Sequence, residues 1–162
     1  MGASCLEHAE LLTVAMDHGQ FYLCTGFWDG LDVVSTVHRA IAGDGIAQDG
    51  PLLVVLSPHQ NNFAMSLRSE RWTDEPPNDL ADWQEAFHAS LDVDDFGLHW
   101  MSTTVGEATL EAPPGQYVIR IAGRGFVQRG WPGSTTPGDV WRLQLWPCVR
   151  GPKPARLKSW TN

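Results

Sequence analysis

The chain has 162 residues, the usual size of one domain, with a 43% apolar fraction and a net charge of −8. A chain this long buries a core without metal or disulfide support, and its composition excludes global disorder. The acidic balance argues against direct nucleic-acid binding, which needs a basic surface, and no apolar run approaches the ~20 residues of a membrane helix.

Residues 10–16 form a short apolar run suited to a strand, followed by a turn at Asp17-His18-Gly19 and an aromatic strand over residues 20–25. Another turn is expected from Gly26 to Gly30. Residues 31–42 carry Leu31, Val34, Val37, His38 and Ile41 near helical spacing, with Gly43 as a stop, and are read as a short helix. Gly43 to Gly50 reads as a glycine-rich loop. The apolar run at 51–57 suits a strand buried on both faces, and residues 63–70 alternate as a half-buried strand in a hairpin with it.

Residues 73–79 read as a loop. Residues 83–89 alternate and are read as a strand, although a helix beginning after Asn78 fits the same stretch. After a turn at Asp92–Asp95, strands are expected at 96–103, 108–112, 116–125 and 140–147, with a proline-glycine turn at 113–115 and a loop from Gly130 to Gly138. The fold class is therefore all-β and mainly antiparallel. The expected form is a two-sheet β-sandwich of eight or nine strands with at most one or two short helices, a β-barrel being the alternative. Residues 1–149 would be the domain. Residues 150–162 would be a basic, proline-containing tail, read as a mobile extended arm.

Charge is divided unevenly. Residues 1–111 hold 18 acids and three bases, a balance of −15, whereas residues 112–162 hold one acid and eight bases, a balance of +7. Acidic density peaks at Asp74, Glu75, Asp79, Asp82, Glu85, Asp92, Asp94 and Asp95, which have no basic neighbour in sequence. A solvated face explains such a run. So does a patch that steers a basic partner, such as an enzyme with a nucleic-acid groove.

Little in the chain points to catalysis. His8, His18, His38, His59, His88 and His99 show no zinc-site spacing, and there is no Cys-x-x-Cys or Gly-x-Ser-x-Gly. No metal or cofactor is therefore expected, and an enzyme is the weaker reading. Cys5, Cys24 and Cys148 are few, odd in number and far apart, as reduced thiols of a cytosolic protein are. The N-terminus, with two acids and no base before Leu11, is unlike a signal peptide.

The segments LLTVAMDHGQFYL, ATLEAPPGQYVIRIAGRG and VWRLQLWP resemble the competence protein J (Nin) family of small bacterial immunity-like β-sandwich proteins. The matching positions are His18, Gln20 and Phe21, then Pro114, Gly115 and Tyr117. Gly19 departs from the pattern, and Asp29–Asp49 and the basic tail look like additions. The resemblance implies an acidic inhibitor of a nuclease or other toxin, and it carries no catalytic residue across.

The leading expectation is thus an intracellular protein-binding module, an inhibitor or immunity protein for a basic enzyme. Its contacts would be the acids from Asp74 to Asp95, with Trp72 and Trp83 as aromatic anchors. Two other classes fit the composition. One is a small-molecule or carbohydrate-binding sandwich using Trp100, Trp131 and Trp141. The other is a metal-dependent enzyme built on His18, His59 and His99.

Overall fold

The computed structural model describes residues 2–26 and 29–161. Phe27 and Trp28, within the expected Gly26–Gly30 turn, lie outside the described residues. Two sheets make up the body. The six-stranded sheet has the order β1 (Leu6–Met16), β5 (Asn62–Trp72), β10 (Val140–Pro147), β9 (Gly115–Arg124), β6 (Glu85–Val93), β11 (Ala155–Lys158). The five-stranded sheet runs β3 (Ile46–Asp49), β4 (Leu52–Leu56), β2 (Gln20–Cys24), β7 (Leu98–Ser102), β8 (Glu107–Leu110). Pairing is antiparallel except between β5 and β10.

One buried cluster draws on both sheets. Phe21, Leu23, Leu53, Val55, Leu98 and Trp100 come from one, and Met65, Leu67, Phe87, Ile119, Ile121, Trp141 and Leu143 from the other. Phe21 stacks on Trp100 and meets Trp141 edge-on at 5.0 Å between centroids. Alternation decides this: Tyr117, Ile119 and Ile121 of β9 turn inward together, as their period of two requires. Gly123, on the same strand, is glycine because a Cβ there would stand 2.8–2.9 Å from the rings of Phe126 and Trp141.

The helix α1 (Val33–Ala42) begins where Asp32 Oδ1 accepts the Ser35 N–H at 2.9 Å and stops at Gly43. It covers the outer face of the five-stranded sheet. Ala40, Val33 and Val37 pack with Tyr22, Cys24, Leu52 and Val54, while Leu53 and Val55 face the inner core. The 51–57 run is therefore buried on both faces, as its unbroken apolarity indicates.

Four expectations are corrected. Residues 63–70 do not form a hairpin with 51–57: β4 pairs with β2 and β3, and β5 pairs with β1 and β10 in the other sheet. Pro58–Asn61 is thus a crossover between sheets, pinned by buried His59 and Asn62 on Asp139. The glycine-rich segment contains β3, which gives β4 its second neighbour. The strand count is eleven among the described residues. The tail is not a mobile arm, because residues 155–158 form β11 on the edge of β6.

Candidate functional site

The acidic segment after β5 lies over the outer face of the six-stranded sheet, and the basic residues of the C-terminal third hold it there. Arg120 of β9 is 4% exposed and donates from Nη2 to the carbonyls of Pro76 and Pro77, at 3.2 and 2.9 Å. Arg142 of β10 grips the Asp79 carboxylate with both ends of its guanidinium, at 2.6 and 2.7 Å. Lys158 donates to Leu80 and Ala81, and Arg124 to Asp82, all at backbone carbonyls. Two guanidinium groups stand over the Trp83 ring, Arg142 at 4.5 Å and Arg124 at 4.6 Å from its centroid.

This arrangement explains the divided charge. The cations spend their donors on the loop's main chain and on Asp79, and leave most of its carboxylates to solvent. Asp74, Glu75 and Asp82 are exposed, Glu75 reaching only to 3.9 Å from Arg120. Asp79 is held below the usual carboxylate range, chiefly by the Arg142 hydrogen bonds. Beside it, the Glu70 carboxylate is buried, which by itself raises its pKa. Hydrogen bonds from Arg68, Gln144 and Trp72 outweigh that and lower it.

The expected contact residues therefore divide. Trp72 is half-buried, with its indole N–H on Glu70. Trp83 and Glu85 are buried. Glu85 takes hydrogen bonds from Arg129, Arg156 and the Trp160 N–H, so it serves the interior. Asp92, Asp94 and Asp95 are exposed near the β6–β7 turn, and none of them has an ion-pair partner among the described residues.

Asp92 and Asp94 also line a cleft of about 680 Å³ where the ends of both sheets converge. Thr25, Gln48, Pro51 and Gln116 line it too, and the 148–151 segment closes one side. Gln48 donates to the Ser90 carbonyl at 3.0 Å, tying β3 to β6 across the gap. Arg150 lines the same cleft. Sequence reading did not find Gln48, Gln116 or Arg150, because these residues are far apart in the chain and no spacing links them.

The residues of the family resemblance have structural roles. His18 takes a left-handed backbone conformation (φ 59°) in the β1–β2 turn, beside Asp17 at 3.0 Å. Asp17 accepts from Ser102 and Thr104. Burial raises its pKa, and these bonds, with His18, bring it below the usual range. Phe21 is core, and the Tyr117 hydroxyl donates to the Pro113 carbonyl at 2.7 Å, fastening the proline-glycine turn.

The histidine site of the metal-dependent alternative does not assemble. His59 is buried, with Nδ1 3.0 Å from Asp139 and Nε2 accepting the Val127 N–H, so both ring nitrogens are committed. Among the described residues no three His, Cys, Asp or Glu side chains are grouped as metal ligands. The tryptophan face of the carbohydrate-binding alternative is corrected as well: Trp100 and Trp141 are buried in the core, and of the three only Trp131 reaches the surface. Among the described residues no helix is long and apolar enough to cross a membrane.

No protein-family model matches this chain, and no curated protein matches it in sequence. Its fold is similar to solved structures. One is ComJ from Bacillus subtilis, an inhibitor of the DNA-degrading activity of NucA: 11% identity over 91% of this chain and 100% of that one, with a TM-score of 0.61. Another is the product of crocagin biosynthetic gene J: 14% identity over 92% of this chain and 100% of that one, with a TM-score of 0.51. The competence protein J-like resemblance read from the sequence thus has a counterpart in three dimensions, in a likeness of fold that spans nearly the whole chain.

Proposed function

We propose that this chain is an acidic protein-binding module that inhibits a nuclease, or another toxin enzyme with a basic groove. The supporting observation is the fold likeness to an inhibitor of a DNA-degrading activity over 91% of the chain. The two sheets, sharing one core, are read as the layers of a β-sandwich, and the outward carboxylates as the docking charge. The contact set is Asp74, Glu75 and Asp82 on the pinned loop, and Asp92, Asp94 and Asp95 at the β6–β7 turn. Carboxylates spaced over a rigid surface compete with nucleic-acid phosphates for a basic groove, so binding and inhibition are one event. Ordering the loop in the free protein removes part of the entropy cost of association. The unpaired thiols of Cys5, Cys24 and Cys148 suit a reducing compartment, and the cytoplasm is the proposed location.

The test is inhibition of DNA degradation by the nuclease encoded nearest this gene, with complex formation followed by light scattering. A stoichiometric complex that blocks cleavage supports the reading. Charge reversal at Asp74, Glu75 and Asp92 should slow association at low salt and matter less at high salt. The absence of both complex and inhibition would sink the proposal.

A further inference from the structure

We infer that the cleft lined by Asp92, Asp94, Gln48 and Gln116 receives one lysine or arginine side chain of the protein partner. This rests on the protein-binding reading and assigns the chemistry of one point within it.

The cleft is a void of about 680 Å³, within the range of roughly 300–1,000 Å³ typical of ligand sites. Its two carboxylates are not spent on the other lining residues. Among the described residues, the side chains of Asp92, Gln116 and Thr25 make no hydrogen bond or ion pair, and Arg150 is not ion-paired to either acid. Gln48 uses its amide N–H on Ser90, which leaves its amide oxygen as an acceptor. The Phe96 N–H fixes Oδ1 of Asp94 at 2.9 Å. Its other oxygen faces Gly26, 3.5 Å from where a Cβ would stand.

The wall therefore offers several uncommitted acceptors, of which Gln48 and Asp94 are held in place by bonds to Ser90 and Phe96. Two of them are charged, so the lining selects a donor-rich cation. A metal ion does not suit it, since among the described residues no third His, Cys, Asp or Glu ligand joins the two carboxylates. Gly26, Gly50 and Gly151 also line the cleft, and Gly50 opens onto free space, so a partner's main chain can approach closely. Arg150, which also lines the cleft, would meet a carbonyl or carboxylate beside the incoming cation.

The experiment uses the full chain labelled with ¹⁵N and titrated with N-acetyl-arginine amide, against neutral N-acetyl-norleucine amide as control. The expected result is saturable shifts of the Gly26, Gly50 and Gly151 amides with the arginine probe alone. Asp94→Asn, which keeps its shape and its Phe96 contact, should weaken the response about tenfold, as loss of a charged hydrogen-bond acceptor does. Shifts elsewhere, equal shifts with norleucine, or an unchanged response in the variant would overturn the assignment. If the wild-type chain inhibits its nuclease while those amides stay still, the cleft assignment falls and the inhibitor reading stands. If the arginine shifts appear without any nuclease complex, the inhibitor reading falls and the cation site remains.

Discussion

Arg142 and Asp79, 63 residues apart in sequence, form the two-pronged bond that ties the acidic loop to the sheet. The guanidinium is nine-tenths buried and its Nε has no partner, so losing Asp79 strands a charge. Asp79→Asn should cost about 1–2 kcal/mol in urea unfolding. That is below the ~3–5 of a fully buried pair, because the Asp79 side chain is 39% exposed and solvent screens it.

The same pair gives a pH dependence. The Asp79 carboxyl titrates lower in the folded chain than in the unfolded one, because Arg142 favours its charged form. Its contribution is therefore complete above the unfolded carboxylate value near ~4 and disappears as pH falls through the folded value. Glu70 and Asp17, also lowered, act in the same direction. Unfolding free energy should decline on acidification below about pH 4, and the Asp79→Asn variant should decline less steeply over that interval. Parallel curves for the two proteins would refute the linkage.

Trp83 reads as a partner anchor from its place in an acidic segment, yet it is buried, with the guanidinium groups of Arg124 and Arg142 over its ring. Trp83→Ala should destabilise the fold by about 3–5 kcal/mol, with about 0.5–1 of that from each cation–π contact. Trp83→Phe should recover most of the loss. Association measured well below the unfolding temperature should fall only as far as the folded fraction falls. A selective loss of binding in a fully folded Trp83→Phe protein would return the residue to the interface.

His59 offers a parallel test of a discarded metal role. Its two nitrogens bridge Asp139 and the Val127 N–H inside the crossover between sheets. His59→Ala should cost about 2–4 kcal/mol, through the cavity it leaves, the lost bond to the buried Asp139 carboxylate and the Val127 N–H left without its acceptor. Zinc or manganese should leave the wild-type Tm unchanged. A metal-dependent rise would show that histidines gather a site after all.

What could be read in advance was local. The run at 52–56 is apolar without interruption because α1 covers one face and the second sheet the other, and that pattern is visible in five letters. The Asp32 cap and the Gly43 stop bracket the helix equally plainly. Partner choice between strands was not legible. Alternation gives β5 a buried face but does not say that β1 and β10, rather than β4, supply its edges. The acidic run was visible as charge, but its sorting was not. Glu85 turns inward to cations from residues 129 and 156, while Asp92 and Asp94 have no ion-pair partner among the described residues, and that depends on contacts between distant segments.

The basic C-terminus concealed a strand for a physical reason. Pro152, Pro154, Arg156 and Lys158 have the composition of a protected sheet edge, which is also that of a solvated arm. In the folded chain Arg156 and the Trp160 N–H reach Glu85, which is 1% exposed, and Trp160 packs 5.6 Å from Phe126. Truncation after Val149 would leave Glu85 with Arg129 as its one cation and uncover Phe126. The expected cost is about 2–4 kcal/mol, since a buried carboxylate loses most of its compensation. Glu85→Gln in the full chain separates the charge from the strand: it should restore part of the stability in the truncated background while destabilising the intact one. Hydrogen exchange supplies the direct check. Amides of residues 155–158 should exchange more slowly than those of an unstructured arm, and exchange at the intrinsic rate throughout would dissolve β11 and the Glu85 latch together.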